Sequence, residues 1–142
     1  MSQATASIDI QAPLKTVYEV ISDFEAYPEF LSETKQVVVE KKSGKQARVS
    51  FTLQLIKKIN YTLDIKLNPP HGLSWSLVQG DIMKSNTGHW KLTEDKKGHT
   101  KADYAIDMDF GAMVPRAISN KLIDSNLPTM MKQFKDRAEE IA

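Results

Sequence analysis

After Ser32, roughly 75 residues read as one strand after another, each apolar on a single side, before one amphipathic helix ends the chain. Val49, Phe51, Leu53 and Leu55 alternate with Ser50, Thr52 and Gln54, and Ile59, Tyr61, Leu63, Ile65 and Leu67 alternate with polar partners. The same period of two runs through Leu73, Trp75 and Leu77, through Trp90 and Leu92, and through Ala102, Tyr104, Ile106, Met108 and Phe110 set against Lys101, Asp103, Asp107 and Asp109. Successive side chains on a strand point to opposite faces, so each segment has one face to bury. Turn residues at Ser43-Gly44, Asn68 to Gly72, Gly80-Asp81 and Lys96 to Gly98 separate them, which predicts a meander of six antiparallel strands. A seventh strand, Ala4 to Ile10, precedes the meander and stops at Gln11-Ala12-Pro13.

Helical spacing occupies the rest. Pro13 suits a first helical turn, where its missing N–H has no partner to lose, and Val17, Tyr18 and Ile21 predict a helix over Pro13 to Ser22. Asp23 can cap a second short helix through Phe24, Tyr27, Phe30 and Leu31, kept short by Pro28. Beyond Gly111 a stripe of Ile118, Leu122, Ile123, Leu127, Met130, Met131, Phe134, Ala138 and Ile141 predicts a long helix with a charged opposite face, kinked at Pro128.

These elements make an α+β chain, read as one domain over residues 1–142, in which a single helix must cover the apolar face of seven strands. A helix is roughly 10–12 Å across, whereas seven strands at about 4.8 Å spacing are far wider when flat. The sheet must therefore curl around the helix, and a curled sheet gripping one helix leaves a hollow.

Composition limits the chemistry. There is no cysteine, which removes disulfides, thiolate metal sites and thiol nucleophiles and suits a reducing cytoplasm. The net charge of +1 is spread without large blocks, which argues against DNA as a partner. No stretch approaches the roughly 18 apolar residues of a membrane span, and the first residues carry no export signal. The short basic pairs Lys41-Lys42, Lys57-Lys58 and Lys96-Lys97 read as solubilising charge, with anionic lipid or ribosomal RNA as the alternative.

The stretch Ile10 to Leu31, IQAPLKTVYEVISDFEAYPEFL, resembles the START-like (helix-grip) superfamily, and within it the polyketide cyclase/dehydrase branch. That branch includes the coenzyme Q-binding START-domain proteins and the bacterial ribosome-association toxin. Gly88 to Leu92, His99 to Tyr104 and Val114-Pro115-Arg116 add weaker matches, so that the resemblance covers nearly the whole chain. It implies a deep apolar pocket between the sheet and the C-terminal helix, used across the superfamily for lipids, isoprenoid quinones, hormones and polyketides.

The alternation and the helical stripe nominate the residues of such a pocket: Phe24, Tyr27 and Phe30 at its mouth, Phe51, Tyr61, Trp75, Trp90, Tyr104, Met108 and Phe110 from the strands, and Met130 and Phe134 from the helix. Ordinary core packing uses the same residue types. The connection Phe110 to Arg116 is unusually apolar for a loop, so Met113 and Val114 are either a lid that also touches a membrane or plain packing at the end of the sheet. Lys84, Asn86 and His89 bear on a ligand carbonyl only where their strand positions point inward, and alternation sets His89 opposite Trp90. Asp64 and Asp107 fall on solvated faces, and no nucleophile elbow, phosphate loop or metal-ligand spacing is visible. These readings favour a cytoplasmic binding module, in peripheral contact with a membrane's inner face where the loop touches lipid, for an isoprenoid quinone or lipid with no other cofactor. The family branch adds two alternatives: a ribosome-associated regulator, and a cyclase or dehydratase.

Overall fold

A computed structural model describes residues 2–55 and 57–142 of the chain. Strand β1 (Ser2–Ile10) is followed by helix α1 (Leu14–Ser22), a short 3₁₀ helix (Phe24–Glu29), and strands β2 (Thr34–Ser43), β3 (Gln46–Gln54), β4 (Lys58–Asn68), β5 (Gly72–Gly80), β6 (Met83–Glu94) and β7 (Thr100–Phe110). The C-terminal helix comes in three joined parts: α2 (Arg116–Asn120), a π-helical turn (Lys121–Ser125) and α3 (Asn126–Ile141). The seven strands form one antiparallel sheet in the order β1-β7-β6-β5-β4-β3-β2. This is the expected α+β helix-grip arrangement, with two short helices after the first strand.

Local chemistry explains the element boundaries. Pro13 takes the extended backbone of an N-cap position (φ −62°, ψ 152°), its carbonyl accepting from the Val17 N–H at 3.1 Å. Asp23 stands at the start of the 3₁₀ helix, but its side chain makes no capping bond; its N–H instead closes α1 on the Glu19 carbonyl at 3.1 Å. The irregularity expected at Pro128 lies just upstream, where the Asn126 N–H reaches the Lys121 carbonyl, five residues back. A proline cannot donate to the carbonyl four residues before it and its ring crowds that carbonyl, so the preceding turn widens instead of the axis breaking. Gly72 opens β5 at φ +144°, where an added Cβ would lie 1.9 Å from the Trp90 carbonyl oxygen; only glycine lets β5 approach β6 so closely.

The inward faces of β3 to β7 meet α1, the 3₁₀ helix and α3 in a main apolar cluster that includes Val17, Ile21, Val49, Leu73, Leu92, Phe134 and Ala138. A second cluster under α2 and the π turn holds Leu53, Ile59, Ile82, Met83, Met108, Ile118 and Leu122, and Tyr61, Leu77 and Ile106 pack against both. Polar ties fix the helices over the sheet. The buried Thr100 hydroxyl donates to the Ala12 carbonyl at 2.8 Å, the Gln11 N–H donates to Glu139 at 2.8 Å, and Arg137 pairs with Glu29 at 2.8 Å. Among the described residues no helix is long and apolar enough to cross a membrane.

Candidate functional site

Between the curled sheet and α3 lies a cavity of about 130 Å³. Its walls are aromatic because the sheet is too wide for one helix to fill and large flat rings span the gap. Phe24 and Tyr27 descend from the 3₁₀ helix, Phe51, Tyr61, Trp75, Trp90, Tyr104 and Met108 stand on inward strand positions, and Met130 and Phe134 come from α3. The rings meet mainly edge to face, Trp90 against Tyr104 at 4.9 Å and against Phe134 at 5.2 Å, while Phe51 stacks on Tyr61 at 5.2 Å. Leu31, Leu63, Ile65, Leu122 and Leu127 fill in between them.

Four residues nominated for the pocket stand elsewhere. Phe30 ends the 3₁₀ helix with an irregular backbone (φ −135°), which turns its ring behind Tyr27, against Phe134 and under the Arg137 guanidinium at 5.2 Å. Phe110 shares the inward parity of Met108, but at the end of β7 it packs into the second cluster, and Val114 joins it there. Met113 is 93 % exposed at the tip of the connecting loop.

Of the three polar residues Lys84, Asn86 and His89, only Asn86 points inward. Asn86 has the same strand parity as Trp90 and points inward, whereas Lys84 and His89 face solvent; an irregularity between Met83 and Ser85 sets Lys84 outside. Asn86 is only 4 % exposed and accepts from the Trp75 indole N–H at 2.9 Å, while its own amide N–H makes only a long contact of 3.7 Å to the Met83 sulfur. The indole is held flat against the sheet by a glycine: a Cβ at Gly88 would fall 2.3 Å from Trp75 Cζ2 and 2.4 Å from the Ala105 carbonyl oxygen. On the outer face, Asp64 is exposed and paired with Arg48 at 2.8 Å. Asp107 is less solvated than its alternation predicts: it is half-buried, and Oδ1 is enclosed without a partner.

Burial pushes the phenols of Tyr27, Tyr61 and Tyr104 well up, with mutual repulsion adding to the effect at Tyr27 and Tyr104. Tyr27 donates to the Ile21 carbonyl. Among the described residues, the hydroxyls of Tyr61 and Tyr104 have no hydrogen-bond partner. Among the described residues, the one ionisable residue on the lining apart from the tyrosines is Glu33, half-buried just before β2. Beside it lies the half-buried Gln133 of α3, which donates to the Ser32 hydroxyl at 3.0 Å across the seam, and the half-buried Asn126 lines the same cavity. This seam between β2 and α3 is the polar rim of the cavity.

Residues 10–135 match the profile of the polyketide cyclase/dehydrase and lipid transport family. The chain belongs to that family. The fold of this polyketide cyclase family member is START-like: it superposes on the protein TTHA0849 from Thermus thermophilus with a TM-score of 0.88 at 18 % identity, covering 99 % of both chains. A START superfamily protein from Mycobacterium smegmatis gives 0.85 at 18 % identity, again over 99 % of each chain. The Zhui aromatase/cyclase from a Streptomyces species gives 0.88 at 15 % identity, over 97 % of this chain and 93 % of that one. At such identities the likeness is one of fold. No curated protein matches the sequence.

Proposed function

We propose that the chain binds a hydrophobic small molecule, a lipid or isoprenoid quinone, in the cavity between its sheet and α3. The observation that carries this reading is the cavity itself: a space of about 130 Å³ with mainly apolar walls, between sheet and helix, where a protein interior is ordinarily packed solid. Burial of ligand surface, about 25 cal/mol per Å² before ordering costs, is the source of affinity. An apolar cavity of roughly 150 Å³ accommodates benzene, so the space here seats about one ring and opens at its rim to the rest of a larger ligand. A longer ligand seats a ring in it and leaves by the rim at Glu33, Asn126 and Gln133, or displaces the segment from Arg116 to Ser125, where the helix is least regular.

A cyclase or dehydratase is the second reading, favoured by the family and by the fold shared with a Streptomyces aromatase/cyclase. Among the described lining residues, only Glu33 at the rim would be left to serve it as an acid or base. General acid–base chemistry works best with a group poised near the working pH, and the tyrosines here are pushed away from that range.

The test is organic extraction and native mass spectrometry of the protein purified from its own host. A retained quinone or lipid is the expected result. Protein that carries none and takes up neither a quinone nor an apolar dye in vitro refutes the reading; co-sedimentation with ribosomal subunits would then favour a ribosome-associated role.

A further inference from the structure

Away from the rim at Glu33, Thr34, Asn126 and Gln133, the polar groups that line the cavity are neutral. Tyr61 and Tyr104 line it with hydroxyls that no described residue engages, and Asn86 offers an amide N–H whose only neighbour is a distant sulfur. The one polar side-chain atom found wholly enclosed without a partner among the described residues is Asp107 Oδ1, on the outer face, so both phenol oxygens keep free surface. For Tyr104, 8 % exposed and walled by Trp75 at 5.5 Å and Trp90 at 4.9 Å, that surface lies in the cavity. The acceptor of Asn86 is taken by the Trp75 N–H, and Tyr27 is spent on the Ile21 carbonyl. What remains are two hydroxyls and one amide N–H, each able to donate, with no cation beside them among the described residues.

We infer that Tyr61, Tyr104 and Asn86 select, among apolar ligands, those whose ring carries a neutral oxygen acceptor such as a ketone or quinone carbonyl. This rests on the ligand-binding reading above and narrows it. A carboxylate or phosphate would lose its hydration without meeting an opposite charge, since among the described residues no lysine, arginine or histidine lines the cavity. A plain hydrocarbon would leave three donors unsatisfied. A carbonyl oxygen accepts from two donors at once and brings no charge. The phenols stay protonated at neutral pH, so they remain donors whatever the ligand does.

The experiment measures binding of three size-matched probes, 1,4-naphthoquinone, naphthalene and 2-naphthoate, by calorimetry and quenching of the two tryptophans. The absence of cysteine keeps the quinone from adding to thiols. Proteins are the wild type, Tyr61→Phe, Tyr104→Phe and the double variant. One lost hydrogen bond corresponds to a fall of roughly 2- to 10-fold, so each single variant is expected to lose that much naphthoquinone affinity and to hold or gain naphthalene affinity. Naphthoate is expected to bind the wild type at least 10-fold more weakly than the quinone. The carbonyl stretch of bound naphthoquinone should sit at lower frequency in the wild type than in the double variant, a readout that a general loss of stability does not produce. Equal losses for quinone and naphthalene, an unshifted carbonyl band, or naphthoate binding as tightly as quinone overturns the inference while leaving the cavity as a ligand site. A wild type that binds none of the probes overturns the ligand-binding reading as well.

Discussion

Phe134 is the side chain through which α3 grips the sheet, and truncating it tests both the packing and the cavity. It is 3 % exposed, and its ring lies 5.3 Å from Tyr27, 5.3 Å from Phe30 and 5.2 Å from Trp90. Phe134→Ala removes a benzyl-sized group, on the order of 100 Å³, and the cavity cost alone at about 24 cal/mol per Å³ is about 2 kcal/mol. The lost transfer free energy brings the total to about 4 kcal/mol, inside the usual span for a buried phenylalanine. The neighbours cannot collapse inward to recover it, because the new hole merges with one that already exists. At roughly 2–4 °C per kcal/mol for a chain of this size, Tm should fall by roughly 8–16 °C. Benzene should then stabilise the variant more than the wild type, since a ligand that binds only the folded state at 100 times its Kd contributes about 2.7 kcal/mol. Differential scanning fluorimetry with and without benzene measures both effects. A fall under about 3 °C would refute the placement of the ring between helix and sheet. A large fall with no benzene response would refute the joining of the two spaces.

Gly88→Ala pushes a methyl group into the Trp75 indole and the Ala105 carbonyl, so it should cost about 2–4 kcal/mol through overpacking and the lost Trp75–Asn86 hydrogen bond. An unchanged Tm and unchanged tryptophan emission would show the indole is not held there. Tyr27, Tyr61 and Tyr104 have folded pKa values above their unfolded value near 10, so their contribution is complete below pH 10 and is lost as pH rises from there towards the folded values. Urea unfolding should give stability flat with respect to these groups up to pH 10 and then falling by about 4 kcal/mol per pH unit, from three protons at about 1.4 kcal/mol each; no decline by pH 12 would contradict their burial. Met113→Ser should leave Tm unchanged and slow uptake of a quinone from liposomes if the exposed tip meets lipid, whereas Val114→Asn should lower Tm because Val114 packs on the second cluster; equal uptake by the Met113 variant and the wild type removes the membrane contact.

The fold was legible because period-two alternation fixes which face each strand buries, and the registers keep those faces aligned, Phe51 opposite Tyr61 and Trp90 opposite Tyr104. The cavity was legible only in part, since an inward residue lines solid core or empty space according to where the helix lies over it. Phe110 shows this: its parity is that of Met108, yet it sits beyond the cavity and meets the second cluster. Phe30 was misplaced because three-residue spacing continues the row of Phe24 and Tyr27 only while the 3₁₀ helix lasts, and the helix stops at Glu29. That Asn86 points inward follows from counting back four residues from Trp90. That Lys84 lies outside does not follow from the same count, because it depends on a strand irregularity that side-chain chemistry does not announce. The π turn was signalled by Pro128 as a defect, but its site upstream is set by which carbonyl the proline crowds.

The free hydroxyls bear on why such a cavity persists. A buried donor without a partner costs about 1–3 kcal/mol, and hydroxyls that border open space sit at the lower end of that range. Phenylalanine at 61 and 104 would keep the ring packing, the Phe51 stack included, and remove that cost. The double variant Tyr61→Phe, Tyr104→Phe is therefore expected to be more stable than the wild type without ligand, by about 2 kcal/mol or roughly 4–8 °C in Tm, while binding naphthoquinone more weakly. The two changes must run in opposite directions if the phenols serve a ligand and not the fold. A double variant that is less stable than the wild type in the absence of ligand would mean the hydroxyls already have partners in the folded chain, and the donor set would then have nothing left to offer a carbonyl.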